Sequence, residues 1–162
     1  MSLIISPIQV HFEVVHPILV CTYTNVAVDN LVEGFAATGV KPLRVAFGGQ
    51  VKPSLSEHTL DQKIEEHAFK PRIDKLAEQE QILQNELRTL QKAVLDLEKT
   101  GRHQLRLSNM KSDLVFKERQ HNIIRAKKYH LRQKMLCDII AAADVVNLMF
   151  LSLFYALMSH FY

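Results

Sequence analysis

The feature that most limits what this chain can become is a charged run from about Leu60 to Ala142, with no proline after Pro71 and one glycine, Gly101. Read in sevens, one position carries Ile73, Glu80, Leu87 and Val94, and its companion carries Leu76, Leu83, Leu90 and Leu97. Seven of these eight residues are apolar, which is the seam of a coiled coil and not the two-residue alternation of a strand. Thr100-Gly101 interrupts the pattern. A second stripe follows through Leu107, Met110, Leu114, Ile124, Leu131 and Met135, with Lys117, His121 and Lys128 as polar intrusions. Two helical arms separated by a glycine predict an antiparallel hairpin. Arms of roughly 35–40 residues reach roughly 50–60 Å at the helical rise.

The arms differ in charge. Asp61 to Lys99 holds seven Lys or Arg against nine Asp or Glu, a balance of −2. Arg102 to Lys134 holds ten against two, Asp113 and Glu118, a balance of +8. Folding back sets an acidic arm beside a basic one and leaves positive charge over. That excess suits nucleic acid, but it equally describes a solvated helical face. A coiled coil by itself names no function.

The hairpin takes about half of the 162 residues and leaves roughly 60 before it, a marginal size for a lone folding unit. The net charge of +3 is too mild to identify a partner. Cys21 and Cys137 form no paired motif, and Met1 to Val15 lacks the basic start of a secretory signal. A reducing compartment, nucleus or cytoplasm, is the expectation.

Before the hairpin, Leu3–Ile5 and Ile8–Val15 read as short strands around Pro7. Pro17 precedes Ile18-Leu19-Val20-Cys21, an apolar run expected to be a buried strand. A helix should follow, because Val28, Leu31, Val32 and Phe35 fall on one face. Thr24 or Asn25 is its expected N-cap, Asp29 falls in its first turns, and Gly39 closes it. Leu43–Phe47 is the next strand, so Ile18 to Phe47 is a strand–helix–strand unit with parallel strands. Gly48 to Pro53 is a loop. Open sheets of this kind bind ligands where strands end and helices begin. The first amides of the helix are spare donors at the positive end of its dipole. Thr22, Thr24 and Asn25 add short polar side chains there, which serve either capping or a phosphate.

The stretch Ile18-Leu19-Val20-Cys21-Thr22-Tyr23-Thr24-Asn25-Val26-Ala27-Val28-Asp29-Asn30-Leu31 resembles motif Ia of superfamily I helicases of the nonsense-mediated-decay helicase group, which includes the Senataxin-like enzymes. Leu43-Arg44-Val45 looks like the next strand of that family. Pro53-Ser54-Leu55 through Thr59-Leu60-Asp61 resembles the lead into its stalk, a pair of long antiparallel helices. Ala143-Asp144-Val145-Val146 resembles the strand after the stalk. The resemblance implies a partial RecA-like sheet of the P-loop NTPase class, an α/β fold carrying the stalk. Residues 1–60 would be the α/β segment, 61–142 the stalk, and 143–162 a returning strand and apolar tail. It further implies that Thr24, Asn25 and Val26 touch the sugar-phosphate backbone of single-stranded RNA or DNA, while Val28 and Leu31 are core. Such contact positions a strand without reading its sequence and weakens with salt.

The family's ATP chemistry has no counterpart in these residues. A phosphate loop needs G-x-x-x-x-G-K-[ST], and none of Gly34, Gly39, Gly48, Gly49 and Gly101 precedes a lysine. No Asp-Glu pair is present to hold Mg²⁺. The second RecA-like domain and its arginine finger also have no match, and after Val146 the Asn147-Leu148-Met149-Phe150 stretch departs from the family pattern. The expectation is a helicase fragment lying between two ATPase motifs, with no cofactor of its own although ATP and Mg²⁺ serve the family. It would not hydrolyse ATP alone, and its partner would be the rest of the helicase core.

Gly48, Gly49 and Gln50 match the release-factor tripeptide, but a turn explains them better. The eight histidines show no zinc spacing with either cysteine. His121 reads as a tolerated polar core position and Cys137 as a small packing residue. Val145 to Tyr162 is eighteen residues free of Asp, Glu, Lys and Arg, and as a helix of roughly 27 Å it would suit a membrane anchor. The alternative function is a coiled-coil interaction module that binds a protein partner without nucleic acid.

Overall fold

The computed structural model describes residues 17–45, 51–101 and 103–149. In chain order they form β1 (Ile18–Thr22), α1 (Asn25–Ala37), β2 (Pro42–Val45), a 3₁₀ turn (Pro53–His58), α2 (Leu60–Glu66), α3 (Lys70–Thr100), α4 (Gln104–Ala141) and β3 (Val145–Met149). The fold is mixed α/β, mostly helical, with one small parallel sheet. Two compact units result: Asp61–Ile139 makes one, and the described residues on either side of it make the other.

The sheet order is β1-β3-β2, and both outer strands run parallel to β3. The last strand in sequence is therefore the central one. Its register sets Ile18 and Pro42 on either side of Val145, and Val20 and Arg44 on either side of Asn147. Asp144 aligns the entry to all three strands. Its backbone N–H donates to the Lys41 carbonyl at 3.0 Å, its carbonyl accepts from the Ile18 N–H at 2.9 Å, and its carboxylate accepts from the Lys41 N–H at 2.9 Å. The strand–helix–strand unit is thus parallel, as the sequence suggests, but β1 and β2 are not neighbours.

Burial follows from that order. Val145, Val146 and Asn147 of the central strand are buried, and so are Pro42, Leu43 and Arg44 of β2. β1 is not the buried strand its composition predicts. It is an edge strand of the described sheet, with Ile18 and Leu19 at 43% and 55% exposure and Cys21 exposed. An apolar run is needed by a strand with two covered faces, but the run cannot itself supply the cover. The expected strands at Leu3–Ile5 and Ile8–Val15, the end of the β2 run at Phe47, and the Gly48-Gly49 turn lie outside the described residues.

α1 packs through Val28 and Val32, both fully buried, against Leu55 of the 3₁₀ turn, with Val51 and Met149 alongside. Each such side chain contributes about 1.5–3 kcal/mol by leaving water. Leu31 and Phe35 are half-buried on the same side. The helix ends as Gly39 predicts. The Gly39 N–H donates to the Ala36 carbonyl and the Val40 N–H to the Phe35 carbonyl, and Gly39 takes φ +81°, the left-handed conformation that such a cap requires.

In the helical unit the first arm is broken. α2 stops at Glu66, and α3 starts at Lys70 with Pro71 in its first turn. Pro71 has no N–H to give the His67 carbonyl, so an unbroken helix would lose that bond and clash there. The Lys70 N–H bonds the His67 carbonyl instead, and the Phe69 N–H bonds the His67 Nδ1 at 3.1 Å. Lys70 Nζ lies between Glu65 and Asp74, which hold its pKa above the ordinary lysine value. α3 ends at Gly101, whose φ of +60° is left-handed.

Within α3 the stripe residues Leu83, Leu87 and Val94 are buried and the rest of the stripe is half-buried. On α4 every named stripe position is at least half-covered, and Met135 is buried. Ion pairs link the two helices: Lys111 with Glu98, Lys117 with Glu86, and Lys128 with Glu80. The partner numbers fall on α3 as they rise on α4. Cys137 is exposed and is not a packing residue, because it lies two positions past Met135, about 200° around the helix. Val145–Met149 is a strand, so a membrane-crossing helix does not begin there. No described helix is long and apolar enough to cross a membrane.

Candidate functional site

Parallel strands bring Thr22, Val45 and Met149 to one edge of the sheet. That is the edge where open α/β folds hold ligands. β1 reaches it and passes through Tyr23 and Thr24 into α1, a helix of 13 residues.

Thr24 is the N-cap, with extended backbone at φ −133° and ψ 150°. Its Oγ1 accepts the Ala27 N–H at 3.1 Å, and its carbonyl accepts the Val28 N–H at 3.1 Å. Thr22 Oγ1 donates to the same carbonyl at 3.2 Å. The turn is therefore held from both sides, by the last strand residue and by the first helical bonds. Asn25 takes the first helical position and is half-buried. Val26 follows at 68% exposure. Thr24, Asn25 and Val26 thus share one turn.

The electrostatics of that turn favour an anion. The positive end of a helix dipole is worth about 0.3–1 kcal/mol to a nearby negative charge. No acidic side chain occupies the first turn to use it. Asp29 falls in the early turns of α1, as its position in the sequence predicts, but it is turned toward the sheet. It lies one turn deeper, is buried at 6% exposure, and accepts a 2.6 Å bond from Arg44 Nε of β2. Burial keeps the pair from solvent and ties the start of α1 to the sheet.

Arg44 and Asp29 were not recognised from sequence as a pair. The available signal was a charged residue in each of two otherwise apolar elements, fifteen positions apart. The same face carries an unusual group. Asn147 is fully buried on the central strand beside Arg44, and neither polar atom of its side chain has a hydrogen-bond partner. Arg44 Nη2 is buried without a hydrogen-bond partner as well. Tyr23 carries no motif signal of its own. Its ring is 82% exposed between the strand end and the cap, a position from which an aromatic can stack on a base.

Among the described residues no three His, Cys, Asp or Glu side chains cluster to hold a metal ion. No phosphate-loop pattern stands anywhere in the sequence.

Comparison with known proteins returns the same class as the motif. The profile of a family described as AAA domain matches residues 4–146. The ATP-dependent helicase upf1 of Schizosaccharomyces pombe is 37% identical over 62 residues, which is 37% of this chain and 7% of that protein. The match thus spans a small part of the relative's length.

Proposed function

The chain belongs to the AAA domain family as a superfamily I helicase-like domain of the nonsense-mediated-decay type, and from that premise we propose that it holds single-stranded RNA or DNA by the backbone at the start of α1. The observation that carries this reading is the Thr24-capped turn at the carboxyl edge of a parallel sheet, with no acidic side chain in the first helical turn. A backbone phosphate sits against the first amides of α1, Thr24 and Asn25 orient it, and Val26 packs on the adjoining sugar. Tyr23 stacks on a neighbouring base. α3 and α4 form the antiparallel stalk of the family. Binding is sequence-independent and weakens steeply with salt.

The remainder of a helicase core is the proposed protein partner. The exposed apolar surface of β1, with Ile18 and Leu19 uncovered, supports that reading, because parallel sheets occur with both faces covered. ATP hydrolysis belongs to that remainder and not to these 162 residues. A nuclear or cytoplasmic location goes with this role.

The test is fluorescence anisotropy of a labelled single-stranded oligonucleotide during a salt titration. Wild-type chain should bind in low salt, and Asn25→Ala should weaken binding about tenfold, the loss of one or two charge-assisted contacts. Equal binding by both forms, or none by either, would overturn the reading. A companion ATPase assay with RNA present should show no turnover above background; turnover would reject the division of labour.

A further inference from the structure

The apolar seam of the α3–α4 pair does not by itself choose how the two helices align. Leu76 and Leu131 line one groove between them, Leu83 and Ile124 another, and Leu87 and His121 a third. Lys117 shares a groove with Leu90, and Lys128 pairs with Glu80. Continued at heptad spacing, this alignment sets Ile73 opposite Met135, Val94 opposite Leu114 and Leu97 opposite Met110. Five of the eight layers from Ile73 to Leu97 are therefore wholly apolar. The other three are Glu80–Lys128, Leu87–His121 and Leu90–Lys117.

A second alignment, one heptad away, is almost as good. There Leu76 meets Ile124, Leu87 meets Leu114, Leu90 meets Met110 and Val94 meets Leu107, so four layers are wholly apolar. Ile73, Leu83 and Leu97 then face Lys128, Lys117 and His103. A slip the opposite way is far worse, because it sets Leu87, Val94 and Leu97 against Lys128, His121 and Lys117. The turn narrows the gap further. The present alignment holds His103 at φ +68°, a left-handed conformation that burdens any residue with a Cβ. The slip moves the middle of the turn from His103 to Thr100-Gly101, and Gly101 is left-handed already at φ +60°.

Charge separates the two alignments. Slipping breaks Lys111–Glu98, Lys117–Glu86 and Lys128–Glu80, because Gln91, Gln79 and Ile73 take the places of the three acids. The first two pairs are largely exposed and weak. Glu80 is different: it stands on the stripe of α3 and its side chain is 17% exposed. It holds Lys128, while the buried His121 Nε2 waits 3.9 Å away without a hydrogen bond. In the slipped alignment His121 replaces Lys128 opposite Glu80.

We propose that the α3–α4 hairpin is a two-register device, locked in its present register by the Glu80–Lys128 layer. A polar layer within an apolar seam fixes register at a cost in stability, the best-attested use of a buried charge. Releasing that layer lets α4 slide one heptad, about 10 Å, along α3. The device does not depend on nucleic-acid binding at α1, so Asn25→Ala leaves it unchanged.

Double electron–electron resonance on the full chain tests it. Cys21 and Cys137, both exposed, are replaced by serine, and spin labels go on cysteines placed at the exposed Asn85 and Gln133. With Glu80 and Lys128 intact, one distance should dominate. Glu80→Lys sets two lysines face to face and should move most of the population to a distance about 10 Å longer, with helical circular dichroism kept. Glu80→Gln, which keeps the shape of the layer, should show both distances. Glu80→Lys combined with Lys128→Glu restores an attractive layer and should return the single shorter distance. An unchanged single distance in both Glu80 variants would overturn the proposal. So would loss of the helical signal in Glu80→Lys, or a reversed pair that stays at the longer distance.

Discussion

Ile18 finds its sheet neighbour 127 positions away, at Val145, whereas Leu83, Leu87 and Val94 belong to a stripe whose members recur every three or four residues. The sheet unit and the helical unit differ in how they treat polar groups too. In the helical unit the two lysines on the stripe meet carboxylates, Lys128 with Glu80 and Lys117 with Glu86, while His121 Nε2 is buried without a hydrogen bond 3.9 Å from Glu80. In the sheet unit Asp29 and Arg44 pair, but Arg44 Nη2 and the Asn147 amide are buried without a hydrogen bond. The helical unit is specified by many small interactions repeated along one stripe. The sheet unit is specified by a few distant ones, and each of those carries more.

Four substitutions break or sharpen this contrast. Arg44→Ala should do the most damage, about 3–5 kcal/mol, because it leaves a buried Asp29 carboxylate without its partner. Urea unfolding followed by circular dichroism measures it, and the sheet should be lost while most helical signal stays. Leu87→Ala should cost about 2–3 kcal/mol, at the low end for a buried leucine because the site is 7% exposed. Here the helical signal itself should melt earlier. Asn147→Val should move the other way, raising stability by about 1–2 kcal/mol by replacing an unsatisfied buried amide with an apolar side chain of similar size. A loss instead would mean that the amide has a partner in solution, such as a bridging water. Thr24→Ala should cost about 1 kcal/mol through the lost cap, and it should weaken oligonucleotide binding in the same anisotropy assay.

How much could be read beforehand follows the same division. The stripe from Ile73 to Met135 was legible because helical neighbours are sequence neighbours, and burial follows the spacing. Thr24, Gly39 and Gly101 were legible for the same reason: a cap acts within four residues. The interruption at His67–Phe69 was signalled by Pro71 but hidden by the charged run around it. The sheet was only half legible. Its strands show as apolar runs, yet nothing within Ile18–Cys21 says that β3 will lie beside it and leave Ile18 and Leu19 uncovered. Nor does Asp29 announce its bond to Arg44. An aspartate early in a helix reads equally as a dipole partner, and only the placement of β2 decides between them.

The central place of β3 has a consequence for synthesis. About a hundred residues separate Val45 from Val145, so a ribosome working at about 5–20 residues per second releases β1, α1 and β2 roughly 5–20 s before the strand that joins them. Throughout that interval the two outer strands have no ladder, while α3 and α4 can coil as soon as they emerge. A nascent chain halted before Val145 would therefore carry finished helices and an open seam, the form a chaperone would be expected to bind.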